Sequence, residues 1–364
     1  MIVLRRALLA LFLAMITAAA YLHQVDGARY PNIHALCPFG GLESLYTFFT
    51  KGTFISKIFS GTMILFAVTV VLAIAMRRSF CGILCPLGAI QEFVALAGRK
   101  VFGRLFQMPA GLDRPLRYLK YLALVVTVGY AWRTAGLWMA PYDPWSAYAH
   151  LSEGGGAVWN EAPVGLSILG LTVVGSFLYD RVFCKYLCPM GAFYALIGKV
   201  SPFKVERNEE ACIQCQRCTQ HCPVNIAVSQ GRKVTSAECL NCQTCVLNCP
   251  APGALDLKTG KATIKPLVAF IFVLALFFGP IAVTDSLGIY KTKYERVKAG
   301  QSIDVSEVRG FMTIREAAEA TGTELRAFYQ KFQIPQSVPD DTKMKEIGTK
   351  APGYDFHKAK GAVK

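Results

Sequence analysis

Two cysteine runs in the second half of the chain constrain its fold more than any other feature. They read Cys212-Ile-Gln-Cys215-Gln-Arg-Cys218-Thr-Gln-His-Cys222-Pro223 and Cys239-Leu-Asn-Cys242-Gln-Thr-Cys245-Val-Leu-Asn-Cys249-Pro250. Each has the spacing C-x2-C-x2-C-x3-C-P, a ligand run for [4Fe–4S] clusters. Three close thiolates wrap one face of an iron–sulfur cube, and the fourth Cys of each run reaches to the other cluster. The spacing assigns Cys212, Cys215, Cys218 and Cys249 to one [4Fe–4S] cluster, and Cys239, Cys242, Cys245 and Cys222 to a second. Zinc sites and disulfide frameworks also use C-x2-C pairs, but neither calls for two complete runs that each end in Cys-Pro.

The rest of the chain reads as a mainly α membrane protein. It has 364 residues, 53% hydrophobic and only 17% charged, too apolar for an ordinary soluble domain. Five stretches come near the length that crosses a bilayer as an α-helix. They are roughly Val3–Leu22, Ile58–Met76, Leu116–Trp132, Val164–Tyr179 and Pro266–Thr284. The first can also be read as a signal peptide, with a basic start and small residues at Thr17-Ala18-Ala19-Ala20; we take it as an anchor. Segment 77–120 holds eight Lys or Arg against two acids, whereas 133–163 holds only Arg133 against Asp143, Glu153 and Glu161. The positive-inside rule then places 77–120 and the cluster runs in the cytoplasm and 133–163 outside. The expected protein lies in the cytoplasmic (inner) membrane, and its net charge of +15 is explained without nucleic acid.

An internal repeat accompanies the spans. Phe80-Cys81-Gly-Ile-Leu-Cys85-Pro86-Leu-Gly88-Ala89 matches Phe183-Cys184-Lys-Tyr-Leu-Cys188-Pro189-Met-Gly191-Ala192. Both copies follow an outside-to-inside span and basic residues (Arg77 and Arg78, then Arg181). C-x3-C places two sulfurs at i and i+4 on one helix face. The pairs Cys81/Cys85 and Cys184/Cys188 could share a further metal centre or third cluster, act as redox dithiols, or simply pack as buried small side chains. Cys37, in His34-Ala-Leu-Cys37-Pro38, echoes the motif without its first Cys. It reads as a ligand alongside His34, part of a partner surface, or a turn residue. His23, His34 and His150 stand near the outer surface, where a quinone or haem contact competes with a role as polar anchors.

The tail reads as a small helical domain. Thr313-Ile-Arg-Glu316 is a capping box opening a helix through Ala320, and a second helix runs from Thr323 to about Phe332. The domains expected are 1–200 (four spans with two CxxxCP repeats), 201–262 (the two-cluster module), 263–285 (the fifth span) and 286–364 (an extracytoplasmic tail that docks a partner or is merely solvated). The chain has no G-x-G-x-x-G after a strand, no Walker run and no C-x-x-C-H, which points to a relay subunit and not a complete catalytic enzyme.

Together the paired CxxxCP motifs and the eight-Cys module resemble the NapH/MauN-type membrane polyferredoxins over about residues 3–257. The resemblance implies several spans, a cytoplasmic bacterial-type 2[4Fe–4S] ferredoxin module, and electron transfer between the quinone pool and a partner oxidoreductase in a respiratory redox complex. The span after the module looks more like CcoG- and NosR-type proteins. With that comes a second expectation, an assembly or maturation factor that reduces a metal or thiol for a respiratory complex.

Overall fold

The computed structural model describes residues 1–25, 30–52, 54–55, 58–292, 303–305, 308, 310, 312–351, 353–354, 356 and 359–360. The chain divides into two compact units, Met1–Val25 with Tyr30–Lys293, and the tail from Tyr294 onward. Thus the ferredoxin segment and the apolar helices form one unit.

Prolines punctuate its helices. The first unit begins with α1 (Ile2–Val25), α2 (Pro38–Lys51), α3 (Ser60–Met76), α4 (Ser79–Ile83), α5 (Pro86–Phe102) and α6 (Ala110–Leu116). Then come α7 (Leu119–Thr134), α8 (Pro144–His150), α9 (Gly155–Glu161), α10 (Pro163–Leu178), α11 (Val182–Tyr186) and α12 (Pro189–Ile197). α2, α5, α8, α10 and α12 each open on Pro, whose fixed φ suits the first helical position and whose missing N–H is no loss there.

The chain repeats itself more fully than the CxxxCP motif announces. A long helix (α1 or α7) leads to a 3-10 turn (Ile33–Leu36 or Ala140–Tyr142) and a capping residue before Pro (Cys37 or Asp143). A shorter helix (α2 or α8), an apolar helix (α3 or α10), a five-residue helix with the first motif Cys (α4 or α11) and a Pro-initiated helix (α5 or α12) follow. The halves interlock: α2 packs on α7, α8 on α1, α5 on α10 and α12 on α3.

α2 and α8 lie where the sequence suggested outer loops. The buried face of α2 is made of Gly40, Gly41, Ser44 and Thr47 beside Phe39 and Leu42, a pattern too polar to announce a packed helix. One geometric expectation is corrected. Cys85 does not share a helix with Cys81, nor Cys188 with Cys184. α4 and α11 stop at Ile83 and Tyr186, and Cys85 and Cys188 are extended capping residues with ψ 120° and 110°. The cause is the following proline, which disfavours helical geometry in the residue before it.

The ferredoxin segment is a small antiparallel sheet with two cysteine-bearing turns. β1 (Phe203–Arg207) pairs with β2 (Leu255–Thr259), and β2 with β3 (Ala262–Ile264), in register Val205↔Leu257 and Leu257↔Ile264. Between β1 and β2 lie the one-turn helices α13 (Arg217–Gln220) and α14 (Thr244–Leu247). Val205, Leu255 and Leu257 share one core with Leu72 and Met76 of α3 and Phe270 and Val273 of α15 (Pro266–Ser286).

Among the described residues two helices, α1 and α15, are long and apolar enough to cross a bilayer, while α3 and α10 are shorter apolar helices. Five spans were expected. The third, α7, is amphiphilic at its start, where Lys120 is fully buried against Glu238. Only 11% of the apolar window of α1 and 22% of that of α15 is buried inside the protein, unlike core helices of a soluble domain. Leu122 and Val125 on α7, Leu171 and Val174 on α10, and Ile271 and Val283 on α15 also face outward. Such a belt needs an apolar surrounding.

The tail unit holds α16 (Ile314–Ala320), α17 (Leu325–Lys331) and α18 (Ile347–Lys350). Its capping box is formed, Thr313 Oγ1 accepting from Glu316 N–H at 3.1 Å and Glu316 Oε2 from Thr313 N–H at 3.0 Å. α17 starts at Leu325, two residues after Thr323, capped by Glu324 without a side-chain bond. Phe328, Phe332 and Met344 fill its core.

Two outcomes follow from these contacts. Thr313→Ala removes one capping bond, and hydrogen exchange across Ile314–Ala320 should accelerate by the equivalent of ~1 kcal/mol. Glu238→Gln leaves Arg78 and Lys120 without their shared carboxylate. It should lower stability by about 3–5 kcal/mol in thermal unfolding.

Candidate iron–sulfur centres

The two cysteine runs adopt the same backbone. Gln214 and Gln216 of the first run have φ 54° and 57°, and Asn241 and Gln243, at matching positions of the second, have φ 49° and 59°. Side-chain-bearing residues rarely adopt this left-handed conformation. Repeated between ligand positions, it turns successive backbone N–H groups inward, the concave arrangement that iron–sulfur sites use for their anionic sulfurs. Cys222, from the first run, lines one pocket with Cys239, Cys242 and Cys245 of the second. Four thiols crossed between the runs thus line one space, a donor set whose chemistry fits a cluster. Bound there, each [4Fe–4S] cluster carries one electron at a time.

The two sites differ in surroundings. Burial pushes the Cys222 thiol up to about 12 and raises Cys239 and Cys245 as well. These thiols shed their protons when metal binds. Cys212 is shifted the other way, held down by the Arg207 guanidinium beside it. Cys215 is exposed. The first site thus stands at the protein surface and the second is sealed.

What seals the second site is the helix bundle. Arg77, at the end of α3, donates to the carbonyls of Val234 (2.7 Å), Thr235 (3.0 Å) and Ser236 (2.6 Å) just before the second run. Asn241 Nδ2 donates to the Met76 carbonyl at 3.2 Å. On the other flank, Arg117 donates to the Val224 carbonyl at 2.9 Å and Lys185 to Asn225 Oδ1 at 3.0 Å. Gly82, next to Cys81, lies against the second run itself. A Cβ there would come within 2.9 Å of Cys242 Cβ and 3.0 Å of the Leu240 carbonyl. The first CxxxCP motif and the second cluster site are in van der Waals contact.

Crossed arginines tie the two CxxxCP motifs, Cys81/Cys85 and Cys184/Cys188, to each other, although among the described residues no three metal-ligating side chains form a metal-holding group. Arg181 Nη1 donates to the Cys81 carbonyl at 2.6 Å, and Arg78 Nη2 to the Cys184 carbonyl at 3.1 Å. Arg78 and Arg181 are equivalent positions of the repeat, so each half holds the motif of the other. Gly88 and Gly191 make room: a Cβ would stand 3.0 Å from Arg181 Nη1 and 2.6 Å from Arg78 Nη2 respectively. Gln91 accepts from the Phe183 N–H at 3.0 Å and donates to Cys184 Sγ at 3.1 Å. Burial pushes the Cys81 thiol up, and Arg78 and Arg181 both pull it back.

Sequence reading assigned Arg77, Arg78 and Arg181 to membrane orientation and overlooked Glu92, Gln91 and Glu238. The available signal was Arg-x-Phe-Cys in both repeat copies, Arg78-Ser-Phe-Cys81 and Arg181-Val-Phe-Cys184. Cys37 packs in the same apolar surroundings as Cys85, Cys188 and Trp145. His34 and His150 have ring centroids 6.4 Å apart, and His150 Nδ1 lies 3.1 Å from Gln24 Nε2. His23 Nδ1 is 2.9 Å from the Tyr30 carbonyl.

Comparison with known proteins agrees with this division. A family described as "4Fe-4S binding domain" matches residues 60–105 and again 161–208, the two repeat copies. The "4Fe-4S dicluster domain" matches 204–250. YccM of Escherichia coli K12, a protein named for electron transport, is 30% identical over 213 residues, 58% of this chain and 59% of YccM. The regulatory protein NosR of Pseudomonas aeruginosa is 32% identical over 159 residues, 43% of this chain and 21% of NosR. The ferredoxin-type protein NapH of Escherichia coli K12 is 27% identical over 160 residues, 43% of this chain and 51% of NapH. The chain therefore spans about three fifths of YccM and less of the other two. No solved structure matches it significantly. The protein is a distant homologue of YccM, of the ferredoxin-type proteins NapH and MauN, and of NosR and NirI, and its dicluster domain binds two [4Fe–4S] clusters.

Proposed function

We propose that the protein is a membrane-bound electron relay that links the quinone pool to a partner oxidoreductase through its two clusters. The observation that carries this reading is the asymmetry of the two cluster sites. One is sealed against the helix bundle through Arg77, Asn241 and Gly82, and the other shows Cys215 at the surface. A solitary soluble ferredoxin gains nothing from burying one cluster against an apolar bundle. A relay needs one end at the membrane and the other open to a partner. In this reading five helices span the inner membrane, the ferredoxin module faces the cytoplasm and the tail lies outside.

The quinone end has a candidate place. A groove of about 930 Å³ lies between α1, α5 and α8, lined by Ala10, Ala14, Ala18, Phe93 and the hydroxyls of Thr17 and Tyr148. Those hydroxyls are 2.8 Å apart, and a headgroup carbonyl could compete for them. The Tyr148 ring stacks on Trp145 at 5.6 Å. Trp145 packs in the apolar cluster that holds Cys37, Cys85 and Cys188. Oxidation of a quinol there breaks two O–H bonds, releases two protons to water and passes two electrons, one at a time, to the iron–sulfur centres.

Anaerobic mixing of the purified, cluster-loaded protein with a quinol tests the reading. Cluster reduction seen by EPR supports it. Clusters that ignore quinol but are oxidised by copper or a disulfide would instead indicate a maturation factor. Ala14 faces the groove from an exposed position. Ala14→Phe should fill the groove and slow quinol-driven reduction by about tenfold or more, leaving dithionite reduction unchanged. Gly82→Leu should disturb the second cluster's EPR signal while sparing the first, because its side chain meets Cys242.

A further inference from the structure

Two buried acids stand apart from the rest. Glu92, Glu238 and Asp180 each bind Arg or Lys. Glu43, on α2 and 3% exposed, binds neither among the described residues. Its Oε1 accepts the backbone N–H of Met139 at 3.2 Å, and the charge that acts on it is another acid, Asp143. Asp143 Oδ1 accepts the Trp145 N–H at 3.1 Å as the cap of α8, again with no Arg or Lys among the described residues. One turn after Glu43, the Thr47 hydroxyl is buried with no hydrogen-bond partner among the described residues. Side chains at i and i+4 share a helix face, and the later one leans back over the earlier. The hydroxyl beside Glu43 is thus free to bond a water that brings or removes a proton.

Neighbouring elements offer these acids no compensation. α3, packed on α2, has no ionisable side chain. α7 brings Lys120, held by Glu238 at its far end, and Tyr121, with Tyr130 and Arg133 exposed. Against α8, α10 has none, and α1 carries His23 and, at its other end, Arg5 and Arg6 beside Glu92. The turn before α2 brings His34 and the Cys37 thiol. A carboxyl taken out of water without a cation keeps its proton. Burial pushes Glu43 up to about 8, with Asp143 adding to the rise, and burial pushes Asp143 up to about 6. At neutral pH the pair therefore holds a proton on Glu43. Repetition does not demand this acid: α2 and α8 both open on Pro, and the position matching Glu43 is Ala149.

We propose that Glu43 and Asp143 form a proton-holding site where the two repeat halves meet, outside the five spans and open to the outer water. Its use deepens the relay reading and rests on it. Oxidising a quinol breaks two O–H bonds, and the electrons pass to the iron–sulfur centres. Asp143 caps the helix that carries Tyr148 of the groove, five residues on, a rise of about 7.5 Å. Ionised Asp143 takes a released proton, forming an O–H bond, and Glu43 gives its own to the outer water. This happens once for each of the two protons. Electrons and protons then leave the donor toward opposite faces.

Infrared difference spectra of the full, cluster-loaded chain against Glu43→Gln test the site without quinol. At neutral pH wild type should show the carbonyl stretch of a protonated carboxylic acid that the variant lacks. That band should vanish as pH rises through about 8. Asp143→Asn keeps a good helix cap and removes the neighbouring negative charge, so the midpoint should move to lower pH. The absence of a Glu43-dependent band at neutral pH, or a midpoint indifferent to Asp143→Asn, would overturn the proposal. Rapid mixing with quinol tests the use. Each variant should slow quinol-driven cluster reduction about tenfold or more, with dithionite reduction unchanged. Wild-type quinol rates in both variants would overturn the proton-accepting role. Wild type that ignores quinol altogether would sink the relay reading, while the infrared band still decides the site.

Discussion

The crossed bonds of Arg78 and Arg181 hold this architecture together. Each guanidinium reaches across the repeat axis to the carbonyl of the opposite motif, Cys184 for Arg78 and Cys81 for Arg181. Each is tied to a carboxylate that another element shares, Glu238 from the ferredoxin segment and Glu92 from α5. Lys120 on α7 and Arg5 on α1 complete the two charge clusters. A network of this kind is expensive to bury and stabilises little beyond a well-packed apolar alternative. Its value is specificity of arrangement. It joins both repeat halves and the ferredoxin module at one point, and any slip of one element strands a charge.

Repetition gives the fold its economy. One unit of long helix, capped shorter helix, apolar helix and Cys-bearing turn is used twice, and each half covers the exposed surface of the other. The cysteine runs repeat as well, with matched left-handed residues between ligands. The two kinds of repeat meet at Gly82, where lack of a side chain lets the motif lie on Cys242. Electron transfer slows steeply with distance, so this contact matters more to a relay than any single hydrogen bond.

Local rules were read well from the chain. The four apolar helices and α7 lie within a few residues of the expected spans, because hydrophobic runs of that length have few alternatives. The capping box at Thr313 formed as written. Two readings gave way to context. The C-x3-C pairs do not share a helix face, since the proline after the second Cys extends it. α2 and α8 looked like loops because their buried faces mix a few large apolar side chains (Phe39 and Leu42, Trp145) with glycine, serine, threonine or alanine, which become packing surfaces only against a neighbour.

By itself, the sequence determined the cluster ligand types, the apolar helices and the presence of a repeat. These depend on spacing and composition, which act within a few residues of chain. Tertiary structure alone decided which cluster site is sealed and which is open, and that each motif arginine serves the opposite half. Cys81 and Cys242 are 161 positions apart, and Arg181 finds Cys81 across 100. No local pattern records such contacts. They arise when two interlocked halves and the ferredoxin module bury their charges together.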